Sequence, residues 1–173
     1  MLYSLALFFE ESVVKQILEY SKKVSKSFGK PYYPRDGEWI PHITLLRWES
    51  KKELPSKQVK KIIRLSRKPL NVTFSGLTLL PSNNKAWGVW VEISVLKSKE
   101  LLELQQKLLQ QLRGVKIVSN VGDRFRPHVT LNRIKNEKNR CIAELDIKLL
   151  RRKEVRVFPK LGMGKKEFAW LDK

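Results

Sequence analysis

The segments "PHITLLR" (residues 41–47) and "PHVTLNR" (residues 127–133) agree at five of seven positions, and a sixth exchanges Ile for Val. Their histidines, His42 and His128, are the only two in the 173-residue chain and stand 86 positions apart, half its length. The chain therefore carries an internal repeat. In a β-strand successive side chains point to opposite faces. His42 and Thr44 then share one face while Ile43 and Leu45 share the other, and His128 and Thr130 are set against Val129 and Leu131 in the same way. The apolar pairs belong to the core and the His and Thr pairs to the opposite face.

Outward from each motif the two halves read alike. Residues 2–9, "LYSLALFF", are expected as a strand, and 11–28 as a helix with Val14, Ile17, Leu18, Val24 and Phe28 near helical spacing. The strand bearing the first motif follows. Ser56 is a plausible N-cap for a short helix ending near Lys68, because Pro69 disfavours helical geometry in the residue before it. A hairpin, "NVTFSGLTLL" and "WGVWVEISV" around "PSNNKA", closes the half.

The second half repeats the order. Ser98 caps a helix with a Leu101, Leu104, Leu108 and Leu112 stripe, "VKIVS" is a short strand, and a basic loop leads to the second motif. "EVRVF" and "KEFAWL" are expected as final strands around "GMGK". Residues 140–150 are ambiguous on pattern. Strands interrupted by amphipathic helices, with hairpins that force antiparallel pairing, predict an α+β fold. We expect one bilobal domain over residues 1–173, a pseudo-twofold duplication with two antiparallel sheets facing a central cleft and helices on the outer faces.

Composition limits the partner. Lys and Arg number 36 against 17 Asp and Glu, a formal charge of +19. Such an excess suits a polyanion, since cationic side chains displace counterions condensed on phosphates. Ion-pair networks of heat-adapted proteins also use lysine, but they pair it with acids that are scarce here. The single Cys141 allows no internal disulfide, so the chain reads as cytoplasmic. The apolar opening run lacks a basic flank and meets Glu10 and Glu11, so no membrane partner is expected. We expect a monomer.

A repeat-related pair of imidazoles suits displacement at phosphorus. One group takes a proton from the attacking oxygen while another gives one to the leaving oxygen opposite. An ordinary imidazole pKa near 6.5 lets one ring be neutral and its twin charged. Thr44 and Thr130 can donate hydrogen bonds to non-bridging phosphate oxygens. Metal catalysis lacks ligands on this reading: two histidines are all the chain offers, and neither motif holds a carboxylate. No metal or cofactor is called for.

With His-x-Thr duplicated half a chain apart, the sequence resembles the 2H phosphoesterase superfamily, along nearly its whole length. It looks most like the RNA 2′,3′-cyclic phosphodiesterases, also called 2′-5′ RNA ligases. The resemblance implies that His42 and His128 are catalytic, that Thr44 and Thr130 bind phosphate, and that a 2′,3′-cyclic phosphate at an RNA end is opened to a 2′-phosphate. Ligation would be the reverse. It does not say which histidine is the base. Leu46, Arg47 and Trp48 stand where the commonest RNA-ligase pattern continues Phe-Leu-Gly.

Further substrate contacts are proposed by position. Arg126 is the foremost phosphate contact, and Tyr32, Tyr33, Trp39 and Phe125 are stacking candidates in basic loops ahead of the motifs. Arg47 and Arg133 occupy equivalent repeat positions. If the strands run straight, their parity turns them away from the histidines. Two rivals share the charge argument: a non-catalytic RNA-binding module, and a related enzyme acting on small cyclic nucleotides or 2′-5′ oligoadenylate.

Overall fold

The computed structural model describes residues 1–28, 40–66, 68–81, 88–112, 114–134, 154–163 and 169–170. Tyr32, Tyr33, Trp39 and residues 140–150 lie outside the described residues. The elements run β1 (Leu2–Phe9), α1 (Glu11–Phe28), β2 (His42–Glu49), α2 (Ser56–Leu65), β3 (Leu70–Pro81), β4 (Val89–Val95), α3 (Lys99–Gln111), β5 (Lys116–Ile117), β6 (His128–Ile134), β7 (Glu154–Met163) and β8 (Ala169–Trp170).

Each helix forms for a local reason. In α1, Val13, Ile17, Tyr20 and Val24 recur at spacings of three and four and are buried. In α3 the Ser98 side chain accepts from the Leu101 N–H, the expected N-cap, and Leu101, Leu104 and Leu108 turn inward. The start of α2 differs from expectation. Pro55, extended at ψ 137°, is the N-cap, and its carbonyl receives the Gln58 and Val59 N–H groups. Ser56 is already helical, so it stands one place too late to cap, and no side chain caps this helix.

All principal strand pairs are antiparallel. The order β1-β2-β6-β4-β3-β7-β8, with β7 also pairing β1, closes six of the strands into a ring. Two triplets, β7-β1-β2 and β3-β4-β6, are related by the shift of 86 residues, and each takes its outer strand, β7 or β3, from the other half of the chain. They meet edge to edge between β2 and β6 at the single pair Ile43–Val129, equivalent residues of the repeat. The pseudo-twofold axis therefore passes through that pair. β7 joins the triplets on the far side, pairing with β1 over Val157–Met163 and with β3 over Glu154–Val157.

One apolar core lies under the strands and the helices, built from Leu5, Leu7, Ile43, Leu45, Val91, Ile93, Val129 and Leu131 among others. The helices exchange places across the seam. From α1, which precedes β2, Ser21 donates to the Leu131 carbonyl of β6 at 2.6 Å. From α3, which precedes β6, Gln105 donates to the Leu45 carbonyl of β2 at 2.9 Å. Each helix thus supports the motif strand of the other half.

Candidate active site

The first four residues of each motif obey strand alternation. Ile43, Leu45, Val129 and Leu131 are fully buried, while His42, Thr44, His128 and Thr130 are partly exposed on the opposite face. Antiparallel register through Ile43–Val129 sets His42 beside Thr130 and Thr44 beside His128 across the seam. The two histidines are then diagonal neighbours, positions about 7–8 Å apart in a regular ladder.

Both rings are held alike. His42 Nδ1–H donates to the Ile40 carbonyl at 2.9 Å, and His128 Nδ1–H donates to the Arg126 carbonyl at 2.8 Å. A carbonyl only accepts, so Nδ1 carries the proton in each ring and Nε2 is the atom left for chemistry. The Phe8 ring stacks on His42 with centroids 5.7 Å apart. Burial pulls the His42 pKa below the ordinary imidazole value; the Ile40 hydrogen bond opposes this, and the charges of His128 and Arg47 add to it.

The alternation then breaks, in both repeats, at the same place. Leu5 pairs with Leu46 and Ala6 with Thr44, so Leu45 is an extra residue in β2. Val91 pairs with Asn132 and Glu92 with Thr130, so Leu131 is an extra residue in β6. These are β-bulges, which change the face that later side chains occupy. Leu46, Trp48 and Asn132 turn into the core. Arg47 and Arg133 accordingly come to the histidine face, against the parity expected for straight strands. Arg133 lies over the Trp90 ring, 5.7 Å from its centroid.

Other expected contacts fall differently. Phe125 is 3% exposed and packs within the core, which leaves its ring no open face for a base. A short 3-10 turn, Gly122–Arg124, tucks it inward. Arg126 is beside the site, but its guanidinium is paired with Glu92. Tyr33 and Trp39 lie outside the described residues.

Glu92 is the residue that motif reading misses. It sits on β4 opposite Thr130, is 3% exposed, and brings Oε1 within 3.4 Å of His128 Nε2 while Oε2 pairs with Arg126. More cations border the same face from the β1–β7 side. Lys160 lies 6.0 Å from the Phe8 centroid and Arg156 lies 5.4 Å from that of Phe158. Among the described residues no three His, Cys, Asp or Glu side chains are grouped to hold a metal ion. Nor is any described helix long and apolar enough to cross a membrane.

A family model, the 2′-5′ RNA ligase superfamily, matches residues 30–157, a span holding both motifs. Solved structures with the same fold include Escherichia coli LigT complexed with 3′-AMP, at 18% identity and a TM-score of 0.59, covering 98% of this chain and 94% of that one. TT0787 of Thermus thermophilus matches at 20% identity and 0.60, covering 99% and 96%. Kluyveromyces marxianus Usb1 matches at 17% identity and 0.53, covering 98% and 97%. A comparison with curated proteins found no match.

Proposed function

Since the chain belongs to the 2′-5′ RNA ligase superfamily, we propose that it hydrolyses 2′,3′-cyclic phosphate ends of RNA to 2′-phosphates without a metal, His42 and His128 serving as acid and base. The observation that carries this reading is the matched locking of both rings through Nδ1, which leaves two Nε2 atoms on one face of a strongly basic protein. Water attacks phosphorus in line with O3′; one Nε2 takes a proton from the water and the other gives one to O3′ as the P–O3′ bond breaks. Thr44 and Thr130 hold the non-bridging oxygens, and Arg47 and Arg133 neutralise neighbouring phosphates. With an RNA 5′-hydroxyl in place of water as nucleophile, the same proton transfers form a 2′-5′ linkage as the P–O3′ bond breaks.

The test is incubation of the protein, with EDTA, with an RNA ending in a 2′,3′-cyclic phosphate, beside small cyclic mononucleotides and 2′-5′ oligoadenylate. A terminal 2′-monophosphate is expected on the RNA. His42→Ala and His128→Ala should each slow its formation by about 100- to 10,000-fold. Binding without turnover would make the protein a non-catalytic RNA module, and turnover of the small substrates alone would move the assignment to them.

A further inference from the structure

The scaffold of the site is symmetric but its charges are not. Shifting by the repeat of 86 residues places Ala6 at the position of Glu92 and Ile40 at that of Arg126. The register agrees, since Ala6 lies opposite Thr44 just as Glu92 lies opposite Thr130. His128 therefore has a carboxylate and a guanidinium as neighbours where His42 has a methyl group and an apolar side chain.

Burial of an ionised carboxylate is costly unless it is paired. At 3% exposure Glu92 has two charged-group partners, Arg126 and His128. The His128 Nδ1 proton is committed to a carbonyl. A neutral ring would turn the Nε2 lone pair toward the Glu92 oxygen 3.4 Å away. An imidazolium instead sets a positive charge 3.4 Å from that oxygen, a second ion pair for the buried carboxylate beside the one with Arg126, while its Nε2–H stays available to a substrate oxygen.

We propose that Glu92 is a positioning residue that keeps His128 in its proton-donating form, making His128 the acid that protonates O3′ and leaving neutral His42 as the base that activates water. This rests on the phosphodiesterase reading above and deepens it. The charged groups facing each ring agree with the division. His128 meets Glu92 from β4, Arg126 from its own loop and His42 across the seam; His42 meets Arg47 on its own strand, His128 from β6, and Lys160 of β7 beyond the Phe8 ring. Burial and the neighbouring cations both favour the neutral form of His42. When water adds to phosphorus, its proton goes to His42 Nε2; the P–O3′ electron pair leaves on O3′ and takes the proton from His128 Nε2.

The decisive substrate is a nucleoside 2′,3′-cyclic phosphate with sulfur in place of the bridging 3′ oxygen, because a thiolate departs without an acid. On the oxygen substrate, Glu92→Gln should lose about 10- to 100-fold, the worth of a charged hydrogen bond. On the sulfur substrate it should act near the wild-type rate. His128→Ala should be rescued by sulfur in the same way, and His42→Ala should fail on both. A merely structural role for Glu92 would slow both substrates equally, and that result overturns the proposal, as does rescue of His42→Ala in place of His128→Ala. If circular dichroism shows that Glu92→Gln does not fold, Glu92→Asp, which draws the carboxylate back from His128 but keeps its charge, is put to the same two substrates, and equal slowing on both again overturns the proposal. Wild-type protein inactive on both substrates would defeat the phosphodiesterase reading itself, a different outcome from active protein with the roles reversed.

Discussion

Replacing Gln105 with Met should destabilise the protein by about 2 kcal/mol while barely changing side-chain volume. Gln105 is almost wholly buried and makes two bonds. Its Nε2 donates to the Leu45 carbonyl at the first bulge, and its Oε1 accepts the Gly122 N–H ahead of the second motif. A buried polar group that loses its partner costs roughly 1–3 kcal/mol. The carbonyl, at a fully buried residue, belongs near the middle of that range or above, and the N–H of exposed Gly122 at its low end or below, since water can replace its partner. The thioether offsets on the order of 1 kcal/mol by burying better. Urea unfolding should show a lower midpoint with the slope unchanged, and the melting temperature should fall by about 4–8 °C for a chain of this size. Gln105→Glu sharpens the test, since it retains the acceptor for Gly122 but sets a carboxylate oxygen against the Leu45 carbonyl, so it must be the worse of the two. A loss under about 0.5 kcal/mol for Gln105→Met, or a Glu variant as stable as wild type, would refute the reasoning.

The same logic at the other bulge predicts a loss of about 1–2 kcal/mol for Ser21→Ala, whose hydroxyl serves the Leu131 carbonyl, additive with Gln105→Met in a double-mutant cycle. Because His42 holds its proton less tightly when folded, the unfolded chain is protonated first as the solution is acidified. Its contribution to stability is thus complete above about pH 6.5 and is lost as pH falls through the lower folded value. Unfolding free energies measured across that window should slope less in His42→Gln than in wild type. With His42 as base, the acidic limb of the activity profile should also lie below about pH 6.5, the ordinary imidazole value. Arg47→Met and Arg133→Met should each raise KM for RNA and flatten its dependence on salt by about one phosphate contact, with kcat little changed. A variant that lowered kcat alone would count against their place on the histidine face.

Alternation in "PHITL" and "PHVTL" was enough to place both histidines and both threonines, because four consecutive positions lie ahead of the bulges. It failed at Arg47 and Arg133, where an unopposed Leu45 and Leu131 reverse the faces. The adjacent apolar residues Leu45 and Leu46 carry a trace of that reversal, but Leu131 and Asn132 carry none. Glu92 was overlooked because it interrupts a β-rich run, "VWVEISV", far from either motif. Comparing positions 86 apart would have exposed it as the acid replacing Ala6. Gln105 likewise left a sign, being the polar member of an otherwise leucine-lined helix face. Phe125 shows the limit of composition, as basic neighbours suggested an exposed loop while the 3-10 turn folds the ring beneath it.

The exchange of helices across the Ile43–Val129 pair bears on ancestry. A polypeptide half this long, with one His-x-Thr segment and one helix, could not have satisfied its own kinked strand, because the side chain that does so is supplied by the other repeat. Such a precursor would have functioned only as an intertwined homodimer with two identical imidazoles. Joining two copies in one chain would free each to diverge, and a lone carboxylate on one side is the kind of difference that a dimer of identical chains could never hold.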